Sequence, residues 1–204
     1  MRPSIAILSL GASNRASIAQ AVERGGGAPS FADSPGDLLE AHAIIFPGVA
    51  NFGYLCAALD RRSLREPLLE ALRAGTPYLG ICAGFQLLYS GSDEAPEARG
   101  LGYLAGRIRK LTGPKSPHMG WNQVAPTLGA TLISPGWAYF SHDYAPEHDT
   151  SQDIATATYG EATFPCAAAR STAIGVQFHP ERSGEYGSLF LRSFISRIGA
   201  RDAS

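Results

Sequence analysis

The chain has 204 residues, 45% of them hydrophobic and 17% charged, which suffices for one well-buried domain spanning the whole chain and is too short for two comfortable ones. Its 17 basic and 18 acidic side chains leave a net charge of −1, and without a basic stripe or charge run nothing points to nucleic acid or to an anionic membrane. No apolar run approaches the roughly 20 residues that span a bilayer, and three widely spaced cysteines, Cys56, Cys82 and Cys166, fit free thiols in a reducing cytoplasm better than a disulfide framework or a zinc site.

The opening residues carry one early charge and a short apolar run with no small-residue cleavage site after it, so they read as a first strand rather than a leader. Residues 5–10 form that buried strand, and after the turn Gly11-Ala12-Ser13-Asn14 residues 16–23 read as a helix. Residues 43–46 are a second buried strand ending at Pro47-Gly48. Residues 54–74 show a long amphipathic pattern interrupted near Pro67. Residues 78–81 are a third buried strand, running straight into Cys82 and a helix-like stretch at 85–89. Alternation of this kind predicts an α/β fold, a mostly parallel central sheet covered by helices on both faces. Residues 91–99 read as a long surface loop in which Asp93 and Glu94 are solvated charges. From Leu104 the runs shorten and become richer in β-branched residues, as expected of added, partly antiparallel strands. Residues 185–198 close the chain as a helix, with Leu189, Phe190, Phe194 and Ile198 at helical spacing.

Gly80-Ile81-Cys82-Ala83-Gly84 has the form Gly-x-nucleophile-x-Gly. A strand enters, the chain turns sharply and a helix leaves; the flanking glycines let backbones crowd where a side chain would clash. Amides at the start of the new helix would favour the reactive thiolate. A buried core cysteine beside two incidental glycines fits the same five residues equally well.

Gly175-Val176-Gln177-Phe178-His179-Pro180-Glu181 ends a strand-like run, and residues two apart on a strand share a face. His179 and Glu181 would then project together, the carboxylate orienting an imidazole whose other nitrogen meets the thiol. Alone, this segment is better read as a solvent-facing turn; it gains weight from the elbow cysteine. His42 and His148 read as surface residues, and Cys56 and Cys166 as structural. Nothing in these patterns calls for a metal or a cofactor.

Together, Gly80-Ile81-Cys82-Ala83-Gly84-Phe85-Gln86-Leu87-Leu88 and Gln177-Phe178-His179-Pro180-Glu181 resemble the class I, or triad, glutamine amidotransferases. Pro117-His118-Met119-Gly120-Trp121-Asn122, with Pro47-Gly48-Val49, Gly100-Leu101-Gly102, Tyr139-Phe140-Ser141-His142 and Arg182-Ser183-Gly184, is similar to one branch, the glutaminase subunits that serve imidazole glycerol phosphate synthase in histidine biosynthesis. The resemblance runs from the first strand to the last helix. It implies a Cys82-His179-Glu181 triad that hydrolyses glutamine to glutamate and ammonia through a thioester on Cys82. It implies backbone oxyanion donors at Val49 and Ala83, a Pro-Gly-Val turn in which Gly48 permits a peptide rotation, and substrate contact at Gln86. It further implies a heterodimer in which a βα-barrel cyclase subunit receives the ammonia, with Asn14, Trp121 and Arg182 near the interface; a turn asparagine, a core tryptophan and a surface arginine are the plainer readings of those three. A paralogous subunit feeding a different synthase and a non-catalytic regulatory subunit are the rival readings.

Three departures stand out. Ser9-Leu10-Gly11-Ala12-Ser13-Asn14 replaces the family's Asp-Tyr-Gly-x-Gly-Asn. Ala50 replaces the fourth residue of Pro-Gly-Val-Gly, at a cost of roughly 1 kcal/mol if that position must reach positive φ. His142-Asp143-Tyr144 replaces His-Ser-Tyr and adds a negative charge near the substrate.

Overall fold

The computed structural model describes residues 2–10, 15–149 and 151–201; Asn14 and the Gly11-Ala12-Ser13 segment before it lie outside the described residues. In chain order the elements are β1 (Ser4–Ile7), α1 (Arg15–Gly25), β2 (Ala28–Phe31), α2 (Pro35–Leu39), β3 (Ala43–Gly48), α3 (Phe52–Arg61), α4 (Arg65–Arg73), β4 (Tyr78–Cys82) and α5 (Ala83–Gln86). There follow β5 (Ile108–Lys110), β6 (His118–Pro126), β7 (Gly136–His142), β8 (Tyr144–Pro146), β9 (Asp153–Tyr159), β10 (Ala162–Arg170), β11 (Ala173–Val176) and α6 (Gly184–Arg201).

The main sheet runs β2-β1-β3-β4-β11-β10-β9-β6-β7, with β5 and β8 paired separately. Its β2-β1-β3-β4-β11 half is parallel. The remaining strands pair antiparallel. The sheet is therefore mostly parallel at the half that carries Cys82, with the added antiparallel strands that the β-branched runs predict.

The inner parallel strands β3 and β4 are buried at every residue because both of their faces are covered. Alternate residues supply two cores: Ile5, Ile7, Ile45 and Ile81 pack toward α1 and α6, whereas Ala6, Leu8, Ile44 and Phe46 pack toward α3 and α4. In α6, Phe190, Phe194 and Ile198 are buried but Leu189 is exposed, so the apolar stripe is narrower than its spacing suggests.

Two elements escape a periodicity reading. β2 is a short, largely exposed edge strand, and α2 is a five-residue helix begun by a Ser34–Asp37 capping box. The break in the 54–74 pattern also differs from expectation. It falls at Ser63, which adopts φ 52°, while Pro67 sits within the first turn of α4, where a missing N–H has no helical partner to lose. The 91–99 segment is surface chain only in part: Ser92 is fully buried and bridges to Ala95 and Ile108.

Backbone crowding fixes the carboxyl ends of β3 and β4. A Cβ at Gly84 would lie 1.8 Å from the Phe46 carbonyl oxygen, and one at Gly80 would lie 2.6 Å from the Gly84 oxygen. Backbone cannot swing aside as a side chain can, so Gly84→Ala should destabilise the chain by about 3 kcal/mol or more. Gly36→Ala, whose Cβ meets nothing nearer than Ser34 Oγ at 3.9 Å, should be neutral or slightly stabilising. Urea denaturation followed by circular dichroism makes the comparison; similar midpoints for the two variants would contradict it.

Candidate active site

Cys82 ends β4 directly opposite Gly48, the last residue of β3. It holds φ 54° and ψ −110°, a strained backbone for a residue with a Cβ and the one a sharp strand-to-helix elbow requires. Its side chain is 6% exposed, at the floor of a cleft of about 280 Å³. The helix after it, α5, is a single turn, shorter than the sequence suggests, so a helix dipole contributes little to the charge on sulfur.

His179 follows β11, which flanks β4 on its other side with Val176 opposite Ile81. Its N–H donates to the Tyr139 carbonyl at 2.8 Å. The Ser183 hydroxyl braces it further, donating to the His179 carbonyl at 2.6 Å and accepting from Tyr139 N–H at 2.9 Å. The imidazole is buried, with Nδ1 2.9 Å from Glu181 Oε1. Residues Pro180–Arg182 form a 3-10 turn, so His179 and Glu181 meet across a turn and do not share a strand face. A Cβ at Gly187 would lie 1.9 Å from the Pro180 oxygen, which shows how tightly α6 packs on that turn.

Burial opposes charge on His179, but the Cys82 sulfur beside it, and then Glu181, outweigh burial and raise the imidazole to about 10. The arrangement therefore favours an imidazolium against the sulfur, with the carboxylate behind it. Cys56 and Cys166 are buried, and burial pushes both thiols up, as suits packing rather than reaction.

Of the other residues singled out by sequence, Val49, Ala83, Gln86 and Arg182 line the cleft. Val49 and Ala83 each follow one residue beyond the Gly48–Cys82 pair that ends the β3–β4 register. Gly48 has a packing reason to be glycine: a Cβ there would lie 2.8 Å from both Ala83 Cβ and Gly84 N. Ala50 is absent from the positive-φ residues, so alanine carries no backbone strain in this state. Trp121 is 55% exposed, which overturns the reading of a core residue. It meets Tyr139 edge-on at 6.4 Å, and Arg182 lies 4.0 Å over the same Tyr139 ring.

Glu94, read from sequence as a solvated loop charge, instead lines the cleft and accepts Phe52 N–H at 2.8 Å, capping α3. Asp143, whose negative charge the sequence reading put near the substrate, lines it too and accepts from the Ser116 hydroxyl. Behind the cleft wall runs a buried chain of polar groups. His142 Nδ1 lies 2.9 Å from the Tyr144 carbonyl, His142 Nε2 lies 3.0 Å from His118 Nδ1, and His118 Nε2 lies 3.2 Å from Asn122 Nδ2. Because a carbonyl only accepts, His142 carries its proton on Nδ1, His118 donates to it from Nδ1, and Asn122 donates to His118. Both imidazoles are neutral in this chain. Burial lowers His118 to about 4; burial, then His118 and His179, lower His142 to about 3.

These depressed values set a pH dependence. As pH falls below the ordinary histidine value of 6.5, the unfolded chain takes up protons that the folded pair refuses until about 4 and about 3. Stability from the pair is thus complete above pH 6.5 and is lost on acidification, by about 1.4 kcal/mol per pH unit for each histidine. His179, raised in the folded chain, acts with the opposite sign and loses its contribution as pH rises. Urea midpoints measured between pH 7 and 4.5 should fall with pH in the parent chain and less steeply in His118→Gln. Equal slopes would show that the pair titrates without consequence for folding.

Comparison with known proteins agrees with this geometry. The family model for glutamine amidotransferase class-I matches residues 28–197. A protein from Thermosynechococcus vestitus named imidazole glycerol phosphate synthase subunit HisH is 38% identical over 206 residues, covering 96% of this chain and 98% of its own. A HisH subunit from Deinococcus radiodurans is 38% identical over 200 residues, covering 94% and 93%. Among solved structures, a glutamine amidotransferase superposes with TM-score 0.78 at 17% identity over 96% of this chain and 98% of its own. A structure described as PurLQS from Thermotoga maritima superposes with TM-score 0.75 at 17% identity over 97% and 100%. At those identities the structures speak to fold alone. A family match over most of the length, with relatives well above 30% identity, makes this chain a member of the class I glutamine amidotransferase family.

Proposed function

We propose that this chain is the glutaminase subunit of an imidazole glycerol phosphate synthase, releasing ammonia from glutamine for a cyclase subunit of βα-barrel type. The observation that carries the proposal is the convergence of Cys82, His179 and Glu181 at the floor of one cleft, in a chain whose relatives are named as subunits of that synthase.

The chemistry follows from the geometry. The Cys82 thiolate attacks the carboxamide carbon of glutamine, and the carbonyl π pair moves onto oxygen. The Val49 and Ala83 amides, from two residues that line the cleft beside Cys82, are the donors for that oxyanion, each worth about 3 kcal/mol in related hydrolases. Collapse breaks the C–N bond as His179, oriented by Glu181, delivers the proton that lets ammonia depart. Water then attacks the thioester with His179 as base, the C–S bond breaks, and glutamate leaves. Gln86 has both amide hydrogens engaged, on the Tyr144 and Gln177 oxygens, so toward substrate it offers an acceptor. Glu94 adds a negative charge suited to the substrate ammonium.

Trp121, with the half-exposed Met119 and Trp137 on the same hairpin, forms an apolar patch that Tyr139 and Arg182 join to the rim of the cleft. A patch of this kind suits a protein partner, and ammonia released beneath it has a short route into that partner. The cytoplasm, where such a pathway operates, is the expected compartment; no helix among the described residues is long and apolar enough to cross a membrane.

In the reconstituted complex, Cys82→Ser should abolish glutamine-dependent synthase activity yet leave activity supported by added ammonia. Glutamate production should rise from the chain alone, to the chain with cyclase, to the complex with the cyclase's ribonucleotide ligand. Retained glutaminase activity in pure Cys82→Ser protein, or full activity of the isolated chain unchanged by partner and ligand, would overturn respectively the nucleophile and the coupling.

A further inference from the structure

The hydrogen bonds around the Cys82 sulfur include one from a side chain outside the triad. Gln177 is completely buried, and its Nε2 lies 3.5 Å from Cys82 Sγ. It comes abreast of Cys82 because β11 runs parallel to β4 with Val176 opposite Ile81. His179, two residues on, reaches the same sulfur. Phe178 between them turns into the core against Phe140, Tyr186 and Phe190.

The polarity of this contact is set from a fixed point. The Tyr144 carbonyl can only accept, so Gln86 presents its nitrogen there, at 2.9 Å. The same nitrogen lies 3.1 Å from Gln177 Oε1 and has a second hydrogen to give. The Gln177 atom facing Gln86 is therefore its oxygen, which leaves its N–H groups to face the sulfur.

We propose that Gln177 is a catalytic residue, the fixed amide donor to the Cys82 sulfur. The role rests on Cys82 being the nucleophile. Before attack the sulfur carries negative charge, which an N–H donor stabilises and aims. When the S–C bond forms, that electron pair is shared with the acyl carbon. When water attacks the thioester and the C–S bond breaks, the pair returns to sulfur, and the same donor stabilises the leaving thiolate. A hydrogen bond to a charged partner is stronger than one to a neutral partner, so Gln177 acts most strongly at the two ends of the covalent cycle.

Other charged or titratable groups also face this region. His179, with Glu181 behind it, and Arg182 come from the turn after β11; His142, Asp143 and Tyr144 come from the end of β7 and the start of β8; Glu94 comes from the segment after α5. All of them are retained when Gln177 alone is changed. Gln177→Glu keeps the size of the side chain and its acceptor toward Gln86, removes the donor and sets a negative charge against the sulfur. Gln177→Met removes the donor without adding charge.

The test is the rate of Cys82 alkylation by iodoacetamide in the full chain from pH 4.5 to 9.5, with the modified peptide identified by mass spectrometry. The midpoint of the acid limb should rise by about one pH unit in Gln177→Met and further in Gln177→Glu. Glutamine turnover should fall by about tenfold or more in kcat, with a much smaller change in KM. A side chain that merely filled space would lower stability and leave the midpoint in place, so midpoints unmoved in both variants overturn the proposal; Gln177→Met decides alone if Gln177→Glu fails to fold. Alkylation reads the donor without reference to glutaminase activity, whereas a Cys82→Ser chain that still hydrolysed glutamine would defeat the nucleophile assignment itself.

Discussion

The contact between the turn after Cys82 and the end of β3 is the constraint on which the site depends. Gly84 packs so closely on the Phe46 carbonyl that no side-chain atom fits between them, and Gly48 also crowds Ala83 and Gly84, though less tightly. This crowding holds Cys82 at φ 54°, a conformation a free chain would leave. It also sets the residues after Gly48 and Cys82 in the lining of the cleft. Gly175 serves the same packing from the other side, where a Cβ would lie 1.8 Å from a Phe85 ring carbon. Three strand ends thus converge on one sulfur because glycine removes the volume that would keep them apart.

A second organising feature is the Tyr144 carbonyl. It accepts from His142 on one side and from Gln86 on the other. One chain then runs outward through His118 to Asn122, beside the exposed Trp121, and the other runs inward through Gln177 to Cys82. Every group in the outward chain is neutral and each has a single permitted direction. Reversing it would turn a lone pair toward the carbonyl, an uncompensated loss in a buried setting. The hairpin that bears the apolar patch and the floor of the cleft are thereby joined by directional bonds as well as by packing.

Much of this was legible in the chain itself. Uninterrupted apolar runs at β1, β3 and β4 announce strands buried on both faces, and the glycines around Cys82 announce the elbow. The strand parity expected of His179 and Glu181 gives way to the 3-10 turn at Pro180–Arg182; beyond the end of β11 it is Gln177 and His179, on either side of the inward Phe178, that both meet Cys82. Glu94 was illegible because its neighbours Ser92 and Asp93 are polar, and only tertiary pairing of that segment brings it to the cleft. β2 and α2 are too short for periodicity to register, and the α3–α4 break falls at a serine with positive φ rather than at the more conspicuous Pro67. Trp121 could not be placed inside or outside by its type, since tryptophan serves both cores and interfaces.

The exposure of Trp121 has an optical consequence. The chain contains two tryptophans, Trp121 and Trp137, which are 55% and 58% exposed on the β6–β7 hairpin. All of the indole emission therefore originates on one ribbon, beside the cleft, and none from the two cores. Docking of another protein over that ribbon would exchange water for a drier, less polarisable surround and shift the emission toward the blue. Melting of the cores would move it little, since both indoles already meet solvent. The native chain is labelled at the surface where an encounter would be felt and is nearly dark to its own unfolding.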